Sequence, residues 1–249
     1  MSATLAPPAA AFDPVHHTQL VFRALLDALA RPGQVTSIAP ATAALAPPEP
    51  WSPALVAIAL TLLDNEVTFA ATRGPTGEPA SSLALYLAGE TFATAVPAAA
   101  AGYVLVEEEL SAAAAPELIG ELSRGDLAYP EDGATLVVSC VALAGPPAGG
   151  SSGGGDCAGS AVAGSAAAES TDAAGDRAAS AGPLRLGLSG PGVPGRRELL
   201  VYGLPAAAIA ARNQACAEYP LGVDLVLATT DGRVAALPRT TTVTIEGVG

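Results

Sequence analysis

The sequence has no lysine; all eleven basic residues are arginines. It therefore cannot form a Schiff base with a carbonyl cofactor or substrate through a lysine side chain. A Gly-x-x-x-x-Gly-Lys phosphate loop is equally impossible. Cysteine is sparse: Cys140, Cys157 and Cys216 are far apart, with no Cys-x-x-Cys pair. That excludes the usual zinc spacings and predicts free thiols in a reducing compartment. The only histidines are His16 and His17. Neighbours on a helix point about 100° apart, so they do not share a metal, and a Ser-His triad could draw on nothing else. No apolar run approaches the roughly 20 residues of a membrane-spanning helix. Met1 to Ala10 lacks the basic and apolar regions of a secretory signal. The expectation is a cytoplasmic protein that does not enter a membrane. A net charge of −13 argues against nucleic acid as a partner, because that binding rests on neutralising phosphates.

What is present is an alanine-rich chain of 249 residues, long enough for a full core. Residues 1–11 are Ala/Pro-rich and expected to be loose. Asp13-Pro14 starts a helix, with Asp13 as its cap. Val15, Thr18, Phe22, Leu25, Leu26 and Leu29 recur at helical spacing and predict its buried face. Arg31-Pro32-Gly33 ends it. Gln34–Ile38 reads as a strand, followed by a Pro/Ala loop. Pro53–Leu63 is a helix apolar nearly all round. Val67–Ala71 and Tyr103–Val106 read as strands, and Ser81–Ala88 and Ser111–Ser123 as helices. A long apolar strand is predicted over Leu136–Leu143. Residues 145–182 are almost all Gly, Ala, Ser and Asp and cannot bury enough surface to offset their ordering entropy. They are expected to be a disordered insertion within one domain spanning 12–249, with Cys157 exposed in it. Beyond lie strands at Leu184–Leu188 and Leu199–Tyr202, a helix over Pro205–Ala217 with Ile209 inward and Arg212 toward solvent, and a last strand, Thr242–Ile245. The alternation predicts an α/β fold with a mixed sheet.

Asp231-Gly232, between the apolar runs Leu225–Thr230 and Arg233–Leu237, is a strong hairpin signal. A two-residue turn sets Val226 opposite Leu237 and Asp224 opposite Arg239, and is the register preferred. The rival is a three-residue loop, Thr230-Asp231-Gly232, with Gly232 left-handed, which sets Arg239 opposite Val223. Asp224 with Arg239 is the one pair expected to be structured, and as a sheet ion pair it is more often architectural than catalytic. Gly190-Pro191-Gly192-Val193-Pro194-Gly195 fits a dinucleotide pattern, but no helix follows, so it reads as a tight turn. Glu107-Glu108-Glu109 reads as a solvated acidic face, and Asp64-Asn65-Glu66 as a polar helix end.

Several stretches, in this order and spacing, resemble the H-subunit family of the carbon–phosphorus lyase complex, PhnH. They are Phe22–Leu26 with Arg31-Pro32-Gly33, Leu62-Leu63-Asp64-Asn65, and Pro130-Glu131 with Gly133–Leu136. To these add Leu184–Leu186 with Gly190–Gly192, then Pro220–Leu225, then Pro238-Arg239-Thr240-Thr241. The insertion and a longer hairpin turn are departures. The resemblance implies a three-layer α/β/α fold with a mixed sheet, similar to the large domain of pyridoxal-phosphate-dependent transferases but lacking that cofactor's site. It implies assembly with the G, I and J subunits, a homodimer in isolation, and no cofactor. With the L subunit, such a complex moves the ribose triphosphate of ATP onto a phosphonate and releases adenine. It implies no catalytic residue here, and the motifs offer none. A cleft near Arg239, Thr240 and Thr241, with Asp224 alongside, is the candidate ligand site, because arginine with hydroxyls suits an oxyanion.

Overall fold

A computed structural model describes residues 12–47, 50–73, 78–107, 109–145 and 182–248. The expected insertion apart from its end residues 145 and 182, Cys157 within it, and the N-terminal residues 1–11 lie outside this set, as does Glu108. The first helix, α1, spans His16–Ala30, two residues later than the expected start at Pro14, but Asp13 still caps the turn that leads into it. Asp13 Oδ1 accepts the N–H groups of Val15 and His16 at 2.8 and 2.9 Å. Those two bonds, His16 foremost, hold the Asp13 carboxyl below its usual range. His17 Nδ1 in turn accepts the Asp13 N–H at 2.8 Å, and His16 Nδ1 lies 3.2 Å from the Asp13 carboxylate. Both histidines therefore serve the helix start.

The buried face of α1 differs from the expected one. Val21, Leu25 and Ala28 are buried, while Val15, Phe22 and Leu26 are 69%, 46% and 50% exposed. Of the expected face Leu25 is buried, and Val21 and Ala28 join it at helical spacing.

A two-residue strand, β1 (Thr36–Ser37), replaces the longer one expected, and the Pro/Ala stretch contains a short helix, α2 (Ala39–Ala43). Helix α3 (Pro53–Leu62) is buried continuously from Ala54 to Ala59, as its all-round apolar sequence predicts. Next come β2 (Thr68–Arg73), β3 (Glu78–Pro79), α4 (Ser81–Thr91), β4 (Thr94–Ala95), β5 (Tyr103–Val106) and α5 (Ala114–Glu121). The long strand of the sequence reading breaks at Val141. Its parts are β6 (Thr135–Cys140) and β7 (Ala142–Ala144), and they belong to different sheets. The chain continues through β8 (Leu184–Ser189), β9 (Arg197–Tyr202), α6 (Ala206–Ala215), β10 (Asp224–Thr229), β11 (Arg233–Leu237) and β12 (Thr242–Val248).

The larger sheet is mixed, with order β1-β11-β10-β6-β5-β2-β3 and β4 beside β2. Its four central strands, β10, β6, β5 and β2, are parallel. They are buried on both faces and therefore read as unbroken apolar runs. One face carries α1 to α4, with Phe69, Leu105, Val137 and Val226 pointing into that core. The other face is shared. Helices α5 and α6 cover part of it, through Leu118, Ile119 and Ile209, and the second sheet covers the rest. That sheet is antiparallel, in the order β12-β8-β9-β7. The fold is thus α/β with a mixed sheet, but one outer layer combines helices with a four-stranded sheet.

The turn between β8 and β9 carries the Gly190–Gly195 motif, as the tight-turn reading predicts. Gly192 has φ of +77°, and a methyl group there would collide with the Ala30 carbonyl at the end of α1.

The hairpin takes the rival register. Leu225 pairs with Leu237 and Ala228 with Val234, so the preferred two-residue turn is not formed. Gly232 has φ of +82°, the left-handed residue of a three-residue loop. Thr229 decides the matter: its Oγ1 accepts the Arg233 N–H at 2.9 Å, and its carbonyl accepts the Gly232 N–H at 2.9 Å.

Candidate functional site

Topology brings the sequence-derived residues to one edge of the larger sheet. Tyr103, Thr135 and Asp224 are aligned at the amino ends of β5, β6 and β10. Strand β11 runs the other way, so its end lies beside the start of β10, and Arg239, two residues further on, reaches Asp224. The pair forms despite the shifted register, because a long arginine side chain spans the diagonal. Asp224 Oδ2 accepts Arg239 Nε at 3.1 Å and Nη2 at 2.6 Å, while Oδ1 accepts the Arg239 backbone N–H at 2.6 Å. Arg239 Nη2 also donates to the Gly133 carbonyl at 3.2 Å, and Nη1 donates to that of Pro130. Of the five N–H groups of a guanidinium, four are therefore engaged. The side chains are 15% and 20% exposed, so this is a mostly desolvated, charge-assisted latch with two guanidinium N–H groups on one carboxylate oxygen. It ties β10, the turn after β11 and the Pro130–Gly133 segment together.

Arg239 forms a wall between two clefts, which separates the four expected site residues. Asp224 faces a cleft of about 610 Å³ at the amino ends of the parallel strands, together with Thr68, Tyr103 and Glu131. Burial raises the Tyr103 pKa, and Asp64 adds to the rise, so its phenol stays protonated. Thr240 and Thr241 line a second cleft, of about 350 Å³, with Arg212, Asn213, Cys216 and Tyr219. Thr240 is exposed, whereas Thr241 is only 2% exposed.

Arg212 is the residue the sequence reading misplaced. It was expected to meet solvent but is 2% exposed. Its Nη1 donates to the Thr241 carbonyl at 2.8 Å, and its Nη2 to the carbonyls of Pro238 and, at 3.4 Å, Leu237. Asn213 Nδ2 adds a bond to the Val243 carbonyl at 2.8 Å. Helix α6 thus clasps the whole turn between β11 and β12. Burial lowers the Arg212 pKa, opposed by nearby Cys216 and Asp224. The signal was available: Arg212 follows Ile209 by three positions, on the same helix face as the buried Ala208 and Ala215.

Glu107 is a second correction. It is buried rather than solvated, at the carboxyl end of β5, with Arg73 Nε 3.8 Å from its carboxylate. The Asp64–Glu66 stretch is a polar helix end as expected, with Asp64 Oδ1 accepting the Glu66 N–H at 2.9 Å. Among the described residues no cluster of His, Cys, Asp and Glu could hold a metal ion. Nor is any described helix long and apolar enough to cross a membrane.

These features define an α/β protein whose candidate site is built from arginine, threonine and one latched carboxylate. The family model described as bacterial phosphonate metabolism protein (PhnH) matches residues 9–244, and the chain belongs to that family. It is accordingly a protein of phosphonate metabolism. No curated protein matches the chain.

Proposed function

We propose that the chain is a non-catalytic subunit of the carbon–phosphorus lyase core complex, required for transfer of the ribose triphosphate of ATP to an alkylphosphonate. The observation that carries this reading is the family match over nearly the whole chain, residues 9–244. Its chemistry agrees. A sequence without lysine cannot form the internal aldimine of a pyridoxal-phosphate enzyme, so a scaffold similar to such transferases would act here by fitting against other subunits. The Arg239 latch supports the same role, since its donors hold strands together. On this reading the partners are the G, I and J subunits, the isolated chain is a homodimer, and the setting is the cytoplasm. Co-expression with those subunits and purification through a tag on one of them tests it. The chain is expected to co-purify in fixed proportion, and a chain that never associates removes the proposal.

A ligand-binding role near Arg239 is the second reading, favoured by the cleft that Thr240 and Thr241 line. A stand-alone enzyme is the third, and turnover by the purified chain without partners is the assay that would establish it.

A further inference from the structure

Two guanidiniums and one carboxylate meet at the turn joining β11 to β12: Arg239 in the turn, Arg212 from α6 and Asp224 from β10. Asp224 is taken by Arg239, whose Nε and Nη2 both donate to its Oδ2. Arg212, 2% exposed, bonds to backbone carbonyls and to the Asn213 amide oxygen, and to no carboxylate among the described residues. A buried cation normally has a counter-charge, because carbonyl dipoles offset only part of its lost hydration. Two polar atoms here are also buried without a hydrogen-bond partner: Arg212 Nε and Thr241 Oγ1. Both residues line the 350 Å³ cleft, whose polar lining also includes Asn213, Tyr219, the Thr240 and Thr242 hydroxyls and the carboxylate-paired Arg239. Among the described residues Arg212 thus has no carboxylate of its own, and the nearby Asp224 is shared with Arg239, under a small, hydroxyl-lined hollow in a chain whose net charge is −13. The carboxyl end of α6 opposes an anion there through its dipole, and Arg212, in the last turn, offsets it.

We propose that this cleft binds a tetrahedral oxyanion, a phosphate or phosphonate group, with Arg212 as its counter-charge and Thr240 and Thr241 as hydroxyl donors. The sequence reading gave the charge to Arg239; the geometry gives it to Arg212, because Arg239 is already neutralised. The inference develops the ligand-binding reading and does not depend on subunit assembly.

Cys216 lines the same cleft and is partly exposed, whereas Cys140 is buried. Iodoacetamide labelling of the full chain, followed by peptide mass spectrometry, therefore reports occupancy at Cys216 with Cys140 as a silent reference. Inorganic phosphate and methylphosphonate are the probes, each compared with sodium chloride at equal ionic strength. Saturable slowing at Cys216 by either oxyanion, and not by chloride, is expected; whichever protects at lower concentration identifies the preferred group. Thr241→Val should raise the half-protecting concentration about tenfold, the loss of one hydrogen bond to a charged ligand. Its thermal unfolding should be unchanged or raised, since the buried hydroxyl has no hydrogen-bond partner among the described residues. Thr240→Ala, at an exposed position, is the second variant and should also raise it. Absence of protection in the wild type, equal protection by chloride, or unaltered protection in both variants overturns the proposal. A chain that is protected yet fails to co-purify with the other subunits keeps this site and loses the subunit reading; the converse result loses only the site.

Discussion

Replacing Arg212 with methionine tests how α6 holds the C-terminal strands. Methionine keeps much of the side-chain volume and the helix propensity, so the change isolates the guanidinium. Two closely bonded carbonyls, those of Thr241 and Pro238, lose their donor in a site that is 2% exposed. Each buried acceptor left unsatisfied costs about 1–3 kcal/mol. Removing a desolvated cation returns part of that, because burying it was itself unfavourable. The expected net loss is about 2–4 kcal/mol. Urea unfolding at 25 °C should show a lower midpoint with an unchanged slope, since the surface exposed on unfolding is the same. Arg212→Lys should fall between the two, having a charge but no planar fork. A loss below about 0.5 kcal/mol for Arg212→Met, the size of an ordinary surface change, would refute the clasp.

Three further outcomes follow from the same geometry. A double-mutant cycle on Asp224→Ala and Arg239→Ala should give a coupling of about 1–3 kcal/mol, reduced from a fully buried pair by their 15% and 20% exposure; a coupling near zero contradicts the latch. Gly192→Ala should cost about 1–3 kcal/mol in a thermal melt, because the left-handed turn has no room for a methyl group against Ala30; an unchanged melt would mean the turn does not pack as described. Burial pushes the Cys140 thiol from its ordinary 9.0 up to about 12. Its contribution to stability is therefore complete below pH 9 and is lost as pH rises toward 12, when only the unfolded thiol ionises. Relative to Cys140→Val, the wild type should weaken by up to about 1.4 kcal/mol per pH unit over that window. Parallel stability curves for the two proteins would contradict it.

The parallel strands were legible because burial on both faces leaves an unbroken apolar signature, and Tyr103–Val106 is observed with the bounds predicted. The hairpin was legible in position but not in register. Asp-Gly fits both turn lengths, and the choice rests on Thr229, whose hydroxyl bond to Arg233 has no signature in the hydrophobic pattern. The break at Val141 was hidden for a related reason: β6 and β7 are both apolar, and a strand that changes sheets reads like one that continues. In α1 helical spacing fits more than one stripe: Leu25 of the expected face is buried, but its companions are Val21 and Ala28 rather than Phe22 and Leu26. At the candidate site, charge pairing disclosed Asp224 with Arg239. Arg212 was missed because charge was weighed above its spacing to Ile209.

On the proposed reading this chain supports phosphonate activation without performing it. The most direct test of that reading is adenine release from ATP and methylphosphonate by the reconstituted G, I, J and L subunits, with and without the chain. Release is expected only when the chain is present alongside the others, and none from the chain alone. Equal release without it, or turnover by the isolated chain, would contradict the account.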